Sequence, residues 1–209
     1  MRTHHQHLIE VDIATLRPTQ VSVGLAEVEE KRAEWRALNK KGRDTMLIQH
    51  WFPAVLGPNA AYYIVDHHHL GLALHEEGVT TGWIMLLQDL SWLAPDVFWR
   101  YMEFHQWAHP YDERGQRCTF DAIPTDVTGL KDDPYRSLAG FVRHAGGYAK
   151  DTTPFAEFLW ADFFRPRIKP ELIRKDTDNA VKQAVQLARQ QDARYLPGWS
   201  GEIGHDHNA

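Results

Sequence analysis

The sequence of 209 residues has a single cysteine, Cys118, and no long apolar run. One thiol cannot form an intramolecular disulfide or a cysteine-based zinc site, which fits a reducing cytoplasm. No stretch approaches the roughly 20 apolar residues that span a bilayer. The first residues, Met1 to His5, also lack the apolar segment of a signal peptide. We therefore expect a soluble cytoplasmic protein that has no membrane partner.

An excess of positive charge is missing as well. The net charge of −5 provides no general attraction to nucleic acid, which is usually bound by a basic domain or stripe. The one local patch that suits phosphate runs from Arg165 to Lys169 and continues with Arg174 and Lys175. This patch is either a solvated connector or the place of a local DNA contact.

The chain also lacks internal repeats and low-complexity linkers, which favours one domain. Alternating apolar residues predict strands over residues 8–13, 52–56, 62–65 and 83–87, and residues 46–48 lead into the second of these. Helical spacing predicts helices over residues 24–40, 95–108, 155–164 and 177–194, and another that begins at Pro134 behind an Asp133 cap. A turn at Gly57, Pro58 and Asn59 is expected to join two antiparallel strands.

The strand at residues 62–65 runs without a spacer into Asp66, His67, His68 and His69. Leu70, Ala73 and Leu74 then recur at helical spacing, and Gly78 provides a stop, so the sequence predicts a strand, a tight turn and a helix. The first turn of such a helix suits a phosphate or another anion. The imidazoles can add donors, a general base or metal ligands.

A structural interpretation of the same histidines is also open. On a helical wheel whose buried side is set by Leu70 and Leu74, His67 lies at the edge of the buried face. His68 and His69 are then expected to point away from the core. In that case the run is a helix cap followed by solvated side chains.

Two further groups outside this turn carry candidate chemistry. Arg136 follows the Asp133 cap closely and either clamps an anion or forms a surface ion pair. His105 and His109 are four residues apart, which would place both on one helical face like paired metal ligands. The protease motif is excluded, because no glutamate follows His105.

Five strings in the chain are shared with a known family: Leu16-Arg17-Pro18-Thr19-Gln20, Val23-Gly24 with Glu27-Val28 and Lys31, Gly57-Pro58-Asn59, Val65-Asp66-His67-His68-His69, and Asp132-Asp133-Pro134-Tyr135-Arg136-Ser137-Leu138. With these strings the chain resembles the putative ParB-like nuclease family of the ParB/sulfiredoxin superfamily, from about residue 11 to residue 165. The resemblance implies an α+β fold with a small mixed-sheet core at residues 8–90. A helical portion at residues 91–196 would pack on it, and residues 197–209 would form a polar tail.

The chain departs from nucleotide-binding relatives of that superfamily at its turn. Those relatives have a glycine and a phosphate-binding arginine where this sequence has His67 and Leu70. The related kinases have an acidic base where this sequence has Thr19 and Gln20, and a neutral amide cannot accept a proton. Sulfiredoxin's cysteine is absent from the turn, which excludes sulfinic-acid repair. A helix-turn-helix typical of centromere-binding partition proteins is also missing.

Together, the residues and the resemblance predict a pocket for a phosphate-containing or other anionic ligand. Hydrolysis, as in a nuclease, or phosphoryl transfer is the expected reaction class. The predicted catalytic residues are Asp66, His68 and His69, and the predicted ligand-binding residues are Thr19, Gln20, Lys31, His67, Arg136 and Ser137. The expected cofactor is a divalent metal ion or a nucleotide, and the expected partner is an anionic small molecule or a nucleotide. The alternative is a non-catalytic regulatory module that binds a ligand or DNA.

Overall fold

The computed structural model describes residues 8–201, which divide into two compact units; the boundary in the chain lies between Asp132 and Asp133. The strands are β1 (Leu8–Asp12), β2 (Ser22–Val23), β3 (Phe52–Gly57), β4 (Ala61–Ile64), β5 (Thr81–Asp89) and β6 (Lys131–Asp132). The helices are α1 (Leu25–Ala37), α2 (Lys40–Gln49), α3 (His68–Glu76), α4 (Pro95–Phe104), α5 (Pro134–His144), α6 (Ala156–Phe164), α7 (Pro170–Lys175) and α8 (Thr177–Ala188). The α+β prediction is confirmed. The domain division at residue 90 stays a prediction.

The first unit is built on a four-stranded mixed sheet with the order β1, β5, β3, β4. The predicted antiparallel pair is confirmed, since β3 pairs with β4 through Ala54 opposite Ile64 and Gly57 opposite Ala61. The connecting turn contains Asn59 at φ 61°, in the left-handed region that asparagine tolerates better than most residues. β3 also pairs in parallel with β5, so the chain crosses through α3 between these two neighbouring strands.

Alternation along the strands divides the core of the first unit into two layers. Ala54 and Ile64 lie in one cluster with Leu70 and Leu74 of α3, whereas the neighbouring Val55 and Tyr63 lie in another with Phe98 of α4 and other apolar residues. Successive side chains of a strand point to opposite faces. The sheet therefore packs against α3 on one face and against α4 on the other, and β4 delivers the chain directly to the start of α3.

Three predicted elements differ from the observed ones. Residues 46–48 were expected to be extended but lie in α2, which begins behind Asn39 as its N-cap and buries none of its residues. The helix expected over residues 95–108 ends at Phe104, because Gln106 adopts a left-handed conformation at φ 55°. In the last third of the chain, α8 ends at Ala188, before the predicted residue 194.

The second unit is helical around an apolar cluster that includes Leu138, Trp160 and Phe164. The predicted start of α5 is confirmed: Asp133 is the N-cap, its side chain accepts the Tyr135 N–H, and Pro134 occupies the first turn. α6 begins one residue later than predicted, since Phe155 in a left-handed conformation is its N-cap. Of the predicted polar tail, residues 202–209 lie outside the described residues.

Candidate functional site

The strand-to-helix turn has the predicted architecture. β4 ends at Ile64 and α3 begins at His68, two residues after Asp66, and Gly78 at φ 70° follows the end of the helix. The N-cap is His67, at φ 64° and ψ 25°, and it supplies no side-chain cap. A left-handed backbone costs an L-residue roughly 1–2 kcal/mol, and glycine avoids this cost. His67 thus holds the backbone conformation that the glycine of related turns adopts most readily.

The His67 side chain is oriented by a main-chain oxygen. Its Nδ1 lies 3.0 Å from the carbonyl oxygen of Trp51. A carbonyl oxygen only accepts hydrogen bonds, so Nδ1 carries the proton and Nε2 of the neutral ring carries a lone pair. The ring is half-buried, and its centre lies 6.4 Å from that of the exposed His50 ring. Because Nδ1 is bonded to Trp51, the nitrogen with the lone pair is Nε2, on the other side of the ring.

His68 is buried, with a relative exposure of 3%. Its Nε2 accepts the Thr19 N–H at 3.1 Å, and the Thr19 hydroxyl donates to the carbonyl oxygen of Ile64 at 2.9 Å. The helical-wheel expectation that His68 points away from the core is wrong. α3 is covered on more than one face, since α1 packs against it and the segment around Thr19 closes over its first turn. His68 thus links the first turn of α3 to that segment, and the Thr19 hydroxyl links the segment to the end of β4.

His69 makes an equivalent link to the start of α1. Its Nε2 accepts the N–H of Gly24, the N-cap of α1, at 3.0 Å. A Glu27 carboxylate oxygen lies 4.0 Å from the same nitrogen, and the His69 side chain is only 15% exposed. The wheel expectation therefore fails for His69 too. The two imidazoles fasten residues 19–24 around the first turn of α3.

Asp66 is the exposed member of the turn. Its side chain accepts the N–H of His67 at 2.6 Å, and the residue is open to solvent. A carboxylate at this place supports the positive end of the helix and is also available to a cation. Asp66 is thus well placed for a charged ligand to reach it.

Three other predicted ligand-binding residues of the first unit have different surroundings. Thr19 is part of the turn, as described. Gln20 is buried next to it, and its amide donates to the carbonyl oxygen of Ser22 at 2.7 Å. Lys31 is solvent-exposed on α1 and pairs with Glu34 at 2.9 Å. The Ser22 hydroxyl is buried without a hydrogen-bond partner among residues 8–201.

Arg136 and Ser137 belong to the second unit and are buried in α5. The Arg136 guanidinium lies 5.5 Å from the centre of the Phe158 ring, which is a cation–π arrangement. The part that Arg136 and Ser137 are predicted to play in ligand binding stays a prediction.

Arg165, from the basic segment, pairs with Asp133 at 2.9 Å. Burial raises the pKa of the Asp133 carboxyl, and the hydrogen bonds from Arg165 oppose that rise without cancelling it. Because Arg165 is engaged in this way, the segment presents less free positive charge for a DNA contact than its composition indicates.

The alternative metal pair is not assembled as predicted. His105 is the C-cap of α4, and His109 lies beyond the helix, where its N–H donates to the Thr19 carbonyl oxygen at 2.8 Å. Within residues 8–201, no group of three or more His, Cys, Asp or Glu side chains is arranged to hold a metal ion.

A cavity of about 680 Å³ lies at the far end of α3 from the histidine turn. Its walls come from α1, α2 and the connection to β5, and include Trp35, Lys40, Arg43 and Glu77. None of residues 66–70 lines it. In the described part of the chain, no helix is both long and apolar enough to cross a membrane.

Sequence reasoning missed His50 and Trp51 as neighbours of the turn. Both follow α2, a helix that the apolar pattern does not reveal. The signal that could have revealed such neighbours is the histidine at a turn position where glycine is expected. A left-handed histidine needs supporting contacts from the surrounding structure. The main-chain oxygen of Trp51 provides one of these contacts.

Comparisons with known proteins agree with the resemblance found in the sequence. The family described as "Putative ParB-like nuclease" matches residues 9–166. Among solved structures, the protein Atu1540 from Agrobacterium tumefaciens is similar, with 44% sequence identity and a TM-score of 0.87. The match covers 94% of this chain and 100% of that one. No curated protein matches the sequence.

Proposed function

The chain belongs to the putative ParB-like nuclease family, and we propose that its histidine turn binds a phosphate-containing or other anionic ligand. Hydrolysis, as in a nuclease, or phosphoryl transfer is the reaction class. The observation that carries the proposal is the start of α3, where a left-handed His67 begins the helix without a side-chain cap. N–H groups at the start of a helix lack intrahelical partners and attract anions.

Electrostatics at the turn favour a ligand that arrives with a cation. The exposed Asp66 carboxylate would repel a bare phosphate at the same helix end. A divalent cation removes that repulsion, because such ions bind one or two carboxylates together with phosphate oxygens. In this proposal Asp66 holds the cation, and the first turn of α3 holds the anion.

The proposed catalytic group is Asp66, His68 and His69. Each imidazole now accepts a backbone N–H through Nε2, from Thr19 or Gly24. Taking a proton at that nitrogen would release the backbone contact, so acid–base chemistry is coupled to movement of residues 19–24. Residues assigned to ligand binding in the proposal are Thr19, Gln20, Lys31, His67, Arg136 and Ser137.

A second candidate function is ligand binding without turnover, as in a regulatory module. It is favoured by the same backbone contacts to His68 and His69, because those nitrogens act as structural acceptors in this conformation. Both functions require ligand binding at the turn. Only the enzyme requires product formation, so the two are separated by a turnover assay.

The test is calorimetry of the full chain with inorganic phosphate and a panel of nucleotides, with and without a divalent cation. His67→Gly keeps the αL backbone and removes the imidazole, so we expect at least about a tenfold loss of affinity, equivalent to 1.4 kcal/mol. His68→Ala should weaken binding as well. His75→Gln, at the other end of the same helix, is the matched control and should bind like the wild type. No binding by the wild type, or equal affinity in all variants, would refute the proposal.

A further inference from the structure

His50 and His67 bring two imidazoles together at the start of the turn. Their ring centres are 6.4 Å apart and their planes are inclined by 62°, so the rings are not stacked. His50 ends α2 and is exposed, whereas His67 is half-buried. The pair therefore combines one fixed ring with one that can rotate.

The fixed ring has the environment of a metal ligand. Histidines that bind metals almost always donate the other ring N–H to a carboxylate, a carbonyl oxygen or water, which sets the tautomer and the ring orientation. His67 donates Nδ1–H to the carbonyl oxygen of Trp51 at 3.0 Å. Its Nε2 is consequently the unprotonated nitrogen that can coordinate an ion.

Backbone strain gives a second reason to assign a role to this imidazole. His67 is at φ 64°, where glycine would be favoured. Strained backbone of this kind persists where surrounding structure requires it, and it clusters at functional sites. At this position a histidine places an imidazole beside the helix start, which a glycine would not.

The separation of the rings is compatible with a shared ion. An ion lies about 2.0–2.1 Å from each coordinating nitrogen, so rings that share it have centres no more than about 6.5 Å apart. The observed 6.4 Å is at that limit, which corresponds to a nearly linear arrangement of the two nitrogens and the ion. A tetrahedral site requires the rings to be about 1 Å closer, so the exposed His50 ring has to move toward His67 when the ion binds.

We propose that His50 and His67 bind a divalent transition-metal ion such as Zn²⁺ or Co²⁺. Imidazole ligands select these ions over Mg²⁺, which prefers oxygen. Two protein ligands leave coordination positions open for water or for phosphate oxygens. The inference names the class of cation that would hold the phosphate, and this role of the cation rests on the proposed function. The binding of the metal ion by the two histidines does not depend on that function.

The experiment is a Zn²⁺ titration of the full chain by calorimetry, repeated with Co²⁺ and monitored by visible absorption, both without phosphate. The variants are His50→Gln, His67→Gly and His67→Asn, the last because asparagine tolerates the left-handed backbone. Histidines at the chain ends, including His4 and His207, add the same background to every variant. His75→Gln and His105→Gln are the matched controls.

We expect one ion above that background to bind the wild type and both controls, and its affinity to fall at least tenfold in each His50 and His67 variant. Superimposable titrations of wild type and variants, or no binding beyond the background, would overturn the metal site. Phosphate calorimetry then separates the two proposals. If the metal binds and phosphate does not, the proposed function fails and the metal site stands; if phosphate binds unchanged in His50→Gln, the turn is a ligand site that needs no transition metal.

Discussion

The helices α3 and α5 begin in opposite ways. α5 starts behind Asp133, whose buried carboxylate accepts the Tyr135 N–H and pairs with Arg165, and Pro134 occupies its first turn. α3 starts behind a left-handed His67 that supplies no side-chain cap. At the start of α5 the capping carboxylate therefore has both of its partners inside the protein. The start of α3 combines a left-handed N-cap with the absence of a side-chain cap, and it is this helix end that we propose binds a ligand.

The largest loss of stability is expected from a substitution of Asp133 at the start of α5. Asp133→Ala removes the cap of α5 and leaves Arg165, whose side chain is 21% exposed, without its buried partner. We expect a loss of about 3 kcal/mol in the free energy of unfolding, since breaking a buried ion pair costs about 3–5 kcal/mol. Urea unfolding measures it, with the exposed Asp151→Ala as control. A change below about 1 kcal/mol would contradict a structural role for this start.

At the start of α3, the largest stability effect is expected from His68. His68→Leu removes the acceptor of the buried Thr19 N–H, and an unsatisfied buried donor costs about 1–3 kcal/mol. We therefore expect a loss of about 2 kcal/mol in urea unfolding. His68→Gln keeps an acceptor and should recover part of that loss. Equal stability of the leucine variant and the wild type would show that the link to Thr19 contributes nothing.

His67→Gly should change stability little, although it removes an entire ring. Relief of the left-handed conformation gains roughly 1–2 kcal/mol, and loss of the bond to Trp51 costs about 0.5–1.5 kcal/mol. We expect a net change within about 1 kcal/mol of the wild type, measured by thermal unfolding. A loss of more than about 2 kcal/mol would mean that the imidazole is held for stability.

The smallest expected effect is a pH dependence of the free energy of unfolding, contributed by Asp133 at the start of α5. Burial raises the pKa of Asp133 in the folded chain, so the folded state holds its proton to higher pH than the unfolded state. Stability contributed at this residue therefore decreases as pH rises from the ordinary carboxyl range through the raised pKa. Urea unfolding across that range should show a flatter profile for Asp133→Asn. If the stability of the wild type instead increased with pH relative to that of the variant, the pKa of Asp133 would be lowered in the folded chain and the prediction would be wrong.

Local sequence signals predicted the parts of the fold that depend on local chemistry. The Gly57-Pro58-Asn59 turn, the Asp133-Pro134 helix start and the junction after Ile64 all carry their determinants within a few residues. α2 was missed because it buries none of its residues, so no apolar stripe marks it. Its Met46 and Leu47 pack against the core while only partly buried, so the helix is stabilised by tertiary contacts that the apolar pattern does not reveal.

The sequence located the candidate site at the turn after Ile64, but it did not predict the contacts that the histidine side chains make there. A helical wheel assumes one buried face, and it failed for His68 because residues from a distant part of the chain close over α3. The contact of His67 with Trp51 joins residues 16 positions apart. Neither partner can be read from spacing along the sequence, since both contacts are set by tertiary packing.

The most direct test of the central claim compares the two kinds of helix start in solution. Amide NMR of the full chain is followed while inorganic phosphate is added in the presence of a divalent cation. We predict saturable shifts for the amides of His68, His69 and Leu70 at the start of α3. The amides of Tyr135 and Asn179, which are already bonded to the capping carboxylates Asp133 and Asp176, should stay in place. Shifts of equal size at all of these helix starts, or none at α3, would contradict the claim that α3 opens a ligand site.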